Sequence, residues 1–217
     1  MYGEYAYKGE YHRKIDENWS YYKYYMAKNN FIKKYICSNI SKNAKILDAG
    51  CGEGVLIEDL YRNGYKNVRG IDLNYSSLFV IRASITYIPF KSEIFDLVLC
   101  LDVLEHLNFE YQEKAISEIY RILKDNGIVI FSLPNLAHLT SRMKFLLFGE
   151  LARTSNIKKH PGDRPIKEYI KLIKTGGFDI LERKGFIFFN KVKILNYLIP
   201  YFPNLCFLNI FVCKKVR

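Results

Sequence analysis

The stretch Lys45-Ile46-Leu47-Asp48-Ala49-Gly50-Cys51-Gly52-Glu53-Gly54 decides the fold of this chain. A short apolar run ends in a carboxylate and breaks into glycines at alternate positions, and a helical pattern opens at Val55. The run reads as a buried strand of an open sheet. Glycines after it let backbone N–H groups approach a ligand and admit φ values that other residues avoid. A strand, a glycine-rich turn and a helix N-terminus suit nucleotide cofactors in general, or merely a tight strand-to-helix turn.

The next strand narrows the reading. Asn67-Val68-Arg69-Gly70-Ile71-Asp72 follows one helix later and also ends in a carboxylate. An acid at that position can accept hydrogen bonds from both hydroxyls of a ribose. A third segment, Ile94-Phe95-Asp96-Leu97-Val98-Leu99-Cys100-Leu101-Asp102-Val103-Leu104-Glu105-His106-Leu107, repeats the pattern of buried strand and polar end.

In this order, over residues 40–215, the three segments resemble the class I S-adenosylmethionine (SAM)-dependent methyltransferases. The D-x-G-C-G-x-G form separates them from nicotinamide enzymes, whose loop usually reads G-x-G-x-x-G. The competing reading is a decayed, non-catalytic Rossmann-like domain. The resemblance implies SAM as cofactor and S-adenosylhomocysteine as product. It further implies that Gly50, Cys51 and Gly52 approach the methionine portion and ribose, that Asp48 helps hold the ammonium group, and that Asp72 holds the ribose. Leu73 is expected on the adenine, Ser84 and Ile85 at its edge, and Cys100 and Leu101 at the strand end whose carbonyl meets the cofactor's amino group. Ser84 stands where the family usually has an aspartate.

The expected fold is α/β: a Rossmann-like, seven-stranded, mostly parallel sheet with an antiparallel last strand. Strands are expected at 45–49, 67–72, 79–82, 95–101, 128–133, 179–188 and 205–213. Helices are expected at 55–63, 111–123, 139–148 and 166–174. Only Leu73–Leu78 is left for the helix between strands two and three, so that helix is expected to be short or missing. Residues 1–40 read as an N-terminal helical cap, carrying Trp19, Tyr21, Tyr22, Tyr24, Tyr25, Phe31 and Ile32 on a helical pattern. Residues 41–217 read as the methyltransferase domain, with a lid segment at 134–175.

Composition bounds the rest. A chain of 217 residues with 49% hydrophobic content is most simply one globular domain with a substantial core. Its 5 cysteines include no C-x-x-C pair, which argues for a reducing compartment and against a disulfide framework or zinc site. No apolar run approaches the roughly 20 residues needed to span a bilayer. A cytoplasmic location is expected, with peripheral membrane contact open. Of the net charge of +11, nearly all lies from Arg153 onward, with 14 Lys/Arg against 4 Asp/Glu. That excess suits an anionic surface or RNA, or is a solvated lysine-rich face.

Asp102, Glu105 and His106 are the candidate catalytic residues. Were their turn helical, they would share a face at i, i+3 and i+4 and could supply a base or hold a divalent metal. The pattern resembles E-x-x-E-H of ubiquinone-biosynthesis O-methyltransferases and of small-RNA 2′-O-methyltransferases, where it holds Mg²⁺. Asp102 replaces the first Glu here, so the main expectation carries no metal. Trp19, Tyr22, His138 and His160 are candidate substrate contacts. The expected function is methyl transfer to a small-molecule, glycan or lipid acceptor, at oxygen or carbon. The alternatives are a metal-dependent RNA 2′-O-methyltransferase and a non-catalytic SAM-binding scaffold subunit. Oligomeric state is not readable from these residues.

Overall fold

The structure, a computed structural model, describes residues 18–151, 160–189 and 194–216. One sheet contains β1 (Ile46–Ala49), β2 (Val68–Asp72), β3 (Val80–Arg82), β4 (Phe95–Leu101), β5 (Leu123–Pro134), β6 (Phe178–Phe186) and β7 (Leu208–Lys215). Their spatial order is β3-β2-β1-β4-β5-β7-β6. Neighbours from β3 to β5 pair in parallel, and β7 is antiparallel to both β5 and β6. The order reverses between β1 and β4, which puts the topological switch point at the Gly50 turn. This is the α/β architecture expected from the sequence.

Around the sheet lie α1 (Tyr22–Asn39), α2 (Val55–Arg62), α3 (Phe109–Ile122), α4 (Leu139–Phe148), α5 (Ile166–Thr175) and the single turn α6 (Leu195–Leu198). Alternate strand residues feed opposite faces. Leu47, Ala49, Val98, Cys100, Val129 and Phe131 pack with Ile116 and Ile119 of α3 and Tyr169 and Ile173 of α5. Ile46, Leu97, Leu99 and Ile130 pack on the other face with Ile32 and Ile36 of α1 and Ile57 and Leu60 of α2. α3 is started by Asn108, whose side chain accepts the Tyr111 N–H at 3.2 Å.

The helix α1 is therefore part of the second core layer. It buries Lys28, Ile32 and Ile36 at successive i, i+4 steps, so one stripe carries two isoleucines and, a turn earlier, a lysine. Residues 1–17 of the expected cap and residues 152–159 of the expected lid segment lie outside the described residues.

Between β2 and β3 there is no helix. Parallel neighbours usually need a crossover of about a dozen or more residues. Here Val80 lies level with Gly70 and Arg82 level with Asp72. The chain need climb back only two residues of strand, about 7 Å, a distance that Leu73–Phe79 spans without a helix. The edge strand stays thinly covered, with Leu78 and Ile81 exposed.

Two strand starts differ from the sequence reading by three residues or more. β5 starts at Leu123, which pairs with Phe95, rather than at 128, and Asn126-Gly127, left between the expected helix and strand, sits as an irregularity inside it, Asn126 taking φ +62°. β7 starts at Leu208 because Pro203–Leu205 forms a 3-10 turn.

Candidate active site

β1, β2 and β4 end side by side, and the chain beyond them walls an open cleft enclosing about 530 Å³, mouth included. Gly50, Asp72, Leu73, Asn74, Ser84 and Ile85 line one part of it, and Asp102, Val103, His106 and Leu107 the other. Asp72 is buried, and its carboxylate is held from two sides. Oδ2 accepts the Gly52 N–H at 2.9 Å and Oδ1 the Asn74 N–H at 2.8 Å. Each oxygen keeps a second lone pair for a ligand. Gly50 is obligatory: it takes φ +86°, and a Cβ there would lie 2.4 Å from Val103 Cγ2.

A lysine that the sequence reading did not single out organises the floor. Lys28 of α1, itself buried, places Nζ 2.5 Å from Asp102 Oδ2. Tyr21 donates its hydroxyl to the same oxygen at 3.0 Å, and the Ser132 hydroxyl donates to Oδ1. Burial alone would push the Asp102 carboxyl up, but the Lys28 charge and these three hydrogen bonds outweigh it and hold it below the ordinary range. Asp102 reaches this position with φ +56°, a left-handed conformation that Asp tolerates better than most residues. Asp48 is buried without such partners. Desolvation pushes its carboxyl up to about 7; the Lys28 charge opposes the rise and the Asp72 charge adds to it.

Because Asp102 is left-handed and Leu104–His106 is a 3-10 turn, the three candidate residues do not share a helical face. Asp102 turns to Lys28, Glu105 is buried, and His106 lines the cleft. Among the described residues, no group of three or more His, Cys, Asp or Glu side chains could hold a metal ion. The His160 ring packs 4.8 Å from the His106 ring, centroid to centroid. Gln112, fully buried on α3, makes that juxtaposition. Its Nε2 donates to the carbonyls of Leu104, Leu107 and Gly162, and its Oε1 accepts from Arg164 Nε at 2.6 Å. The Gly162 N–H donates to the Glu105 carbonyl at 3.0 Å, and a Cβ on Gly162 would lie 1.8 Å from the Leu107 oxygen. The loop carrying His160 is thus clamped to the turn carrying His106.

The other candidates are spread out. Cys51 follows Gly50, and burial, with Asp48 and Asp72 adding, raises its thiol far above neutrality. Burial likewise raises the Cys100 thiol, which packs in one core layer while Leu101 packs against the other. His138 is buried, its Nδ1 2.9 Å from the Asn135 carbonyl and its ring against Phe207, away from the cleft lining. The Trp19 ring lies tilted against those of Tyr21 and Tyr25 just before α1, and neither it nor Tyr22 is a cleft-lining residue.

Comparison with known proteins agrees with this geometry. The methyltransferase domain model matches residues 47–131. An uncharacterized protein of Methanocaldococcus jannaschii is 39% identical over 99 residues, covering 43% of this chain and 42% of its own. A second uncharacterized protein of that organism is 62% covered, so the chain spans less than two thirds of either relative. The ubiquinone biosynthesis O-methyltransferase of Nitrosococcus oceani is 30% identical over 180 residues, 76% of this chain and 72% of its own. The magnesium protoporphyrin IX methyltransferase of Synechocystis PCC 6803 with bound S-adenosylhomocysteine shares the fold. Its TM-score is 0.65 at 17% identity, over 94% of this chain and 90% of that one. A switch-point cleft on a seven-stranded sheet, matched in sequence over most of an O-methyltransferase, has one consequence: the chain belongs to the class I SAM-dependent methyltransferases.

Proposed function

We propose that this chain transfers a methyl group from SAM to a small-molecule, glycan or lipid acceptor, at oxygen or carbon. The observation that carries the reading is one cleft with an amide-anchored carboxylate, Asp72, in one wall and an imidazole, His106, in the other. The residues present fit the cofactor. Asp72 offers two ordered oxygens to a ribose, Leu73 and Ile85 offer apolar walls to an adenine, with Ser84 beside them, and Gly50 leaves the backbone bare. By the family resemblance, Asp48, Cys51 and Gly52, next to the lining residue Gly50, would hold the methionine end, and the Cys100-Leu101 backbone would meet the amino group.

SAM supplies, when bound, an already activated sulfonium methyl group. The protein's work is to align the acceptor and exclude water. Val103 and Leu107 give the cleft an apolar flank for that. His106 accepts the proton of an acceptor hydroxyl at a ring nitrogen, and the clamped His160 holds its ring in place. Such a base typically contributes about 10²–10⁴-fold in rate. The Nitrosococcus relative, an O-methyltransferase of ubiquinone biosynthesis, supports a small-molecule acceptor.

The test is transfer of labelled methyl from SAM into RNA, lipid, glycan and small-molecule fractions, each with and without EDTA. Label in the last three, indifferent to EDTA and reduced at least about a hundredfold by His106→Ala, is expected. A second reading, a metal-dependent RNA 2′-O-methyltransferase, draws on the basic C-terminal third; EDTA-sensitive label in RNA would establish it instead. Tight SAM binding with no label anywhere would leave the scaffold reading.

A further inference from the structure

We propose that the C-terminal half of α4 and the Ile194–Phe202 turn form one surface that docks on an anionic phospholipid bilayer. Both apolar segments leave the same end of the sheet as the cleft. β5 runs parallel to β4 and ends at Pro134, opposite Leu208 at the start of β7. α4 follows the first of these strands and the turn precedes the second. Asn135 Nδ2 donates to the carbonyls of Asn204 and Cys206, and Arg142 Nη2 on α4 donates to Asn204, so the two segments are anchored to one point.

Their side chains face solvent. Phe145, Leu146, Leu147 and Phe148 are 56–77% exposed, and Ser141 is the residue that α4 buries. In the turn, Tyr197, Tyr201 and Phe202 are 61–82% exposed. Apolar surface of this extent, gathered at one end of the fold, marks an interaction site. Tyrosines beside phenylalanines and leucines suit a layer that is apolar inside and wet outside.

Charge selects the occupant. Arg142 and Lys144 accompany the apolar residues of α4, Lys144 lying 3.4 Å from Glu150, and Arg183 reaches the same anchor, its Nη1 donating to Asn204 Oδ1 at 2.9 Å; the chain as a whole carries a net charge of +11. Two copies, each carrying +11, repel one another on approach, whereas an anionic headgroup layer attracts the chain. No helix among the described residues is long and apolar enough to cross a membrane, so the contact lies at the interface. Such docking would hold the cleft mouth against the lipid. It stands independently of the acceptor named above.

Flotation of the full chain with vesicles tests this. Recovery is expected with phosphatidylcholine vesicles containing phosphatidylglycerol and not with phosphatidylcholine alone. It is expected to fall at least about tenfold in high salt, in Leu146→Ser/Phe148→Ser, in Tyr201→Ser/Phe202→Ser and in Lys144→Glu. Calorimetric SAM affinity, measured on the same samples, reports folding and is expected to be unchanged. Absence of flotation with phosphatidylglycerol, flotation indifferent to both apolar variants, or a solution dimer that those variants dissociate would each overturn the proposal. Methyl transfer to a soluble acceptor is scored separately, so either reading can fail alone.

Discussion

At the residue scale, Asp72 and Asp48 are carboxylates at the ends of adjacent strands with opposite fates. Asp72 is anchored by two amides within hydrogen-bond reach. Asp72→Ala removes those anchors and the ribose acceptor together, and SAM affinity is expected to fall at least about a hundredfold. Undiminished calorimetric affinity would remove Asp72 from the ribose. Asp48, desolvated, titrates at about 7 in the native chain. Between about pH 4 and pH 7 the unfolded chain has released that proton and the native chain keeps it. Stability is therefore lost as pH rises across this window, by up to about 4 kcal/mol, and levels off above it. Thermal melts should fall less between pH 5 and pH 8 in Asp48→Asn than in the wild type. Equal falls would place the titration elsewhere. Both acids were legible in the sequence because each closes an apolar run. Their different electrostatics were not, since burial and the reach of Lys28 are properties of the packed chain.

At the element scale, α1 is a structural strut and an electrostatic one. The stripe that buries Ile32 and Ile36 delivers Lys28 to Asp102, and the Tyr25 ring lies 5.3 Å from the ammonium. Lys28→Met takes the cation from a half-buried carboxylate that keeps Tyr21 and Ser132, and is expected to cost about 1–3 kcal/mol in denaturant unfolding. Adding Asp102→Asn should recover part of that loss, which a double-mutant cycle reads directly. The cost should shrink in acid, because Asp102 contributes above the ordinary carboxylate range and loses its contribution as pH falls through its lowered value. An equal cost for Lys28→Met in an Asp102→Asn background would deny the pair. The missing helix between β2 and β3 was legible by counting, because residues 73–78 leave no room for it. The conformation of Asp102-Val103-Leu104-Glu105-His106 was not. A helical spacing unites three polar residues on paper, whereas the left-handed Asp102 and the 3-10 turn send them apart.

At the scale of the whole molecule, two cores sandwich the sheet, and α1 closes one of them. A chain beginning at Ser41 would lose Ile32 and Ile36, both fully buried, at about 2–5 kcal/mol for each. It is expected to lose cooperative thermal unfolding and SAM binding together. A sharp melt in that truncation would make α1 dispensable.

The sequence by itself determined the strand ends, the glycine turn, the carboxylates at 48 and 72 and the absence of a crossover helix. These are local signals: apolar runs, φ-permissive residues and chain length between anchors. Tertiary structure alone decided that Lys28 meets Asp102, that Gln112 clamps the His160 loop over His106, and that His138 is packed inside. Those contacts join residues distant in the chain, and their energies come from burial, which no local pattern encodes.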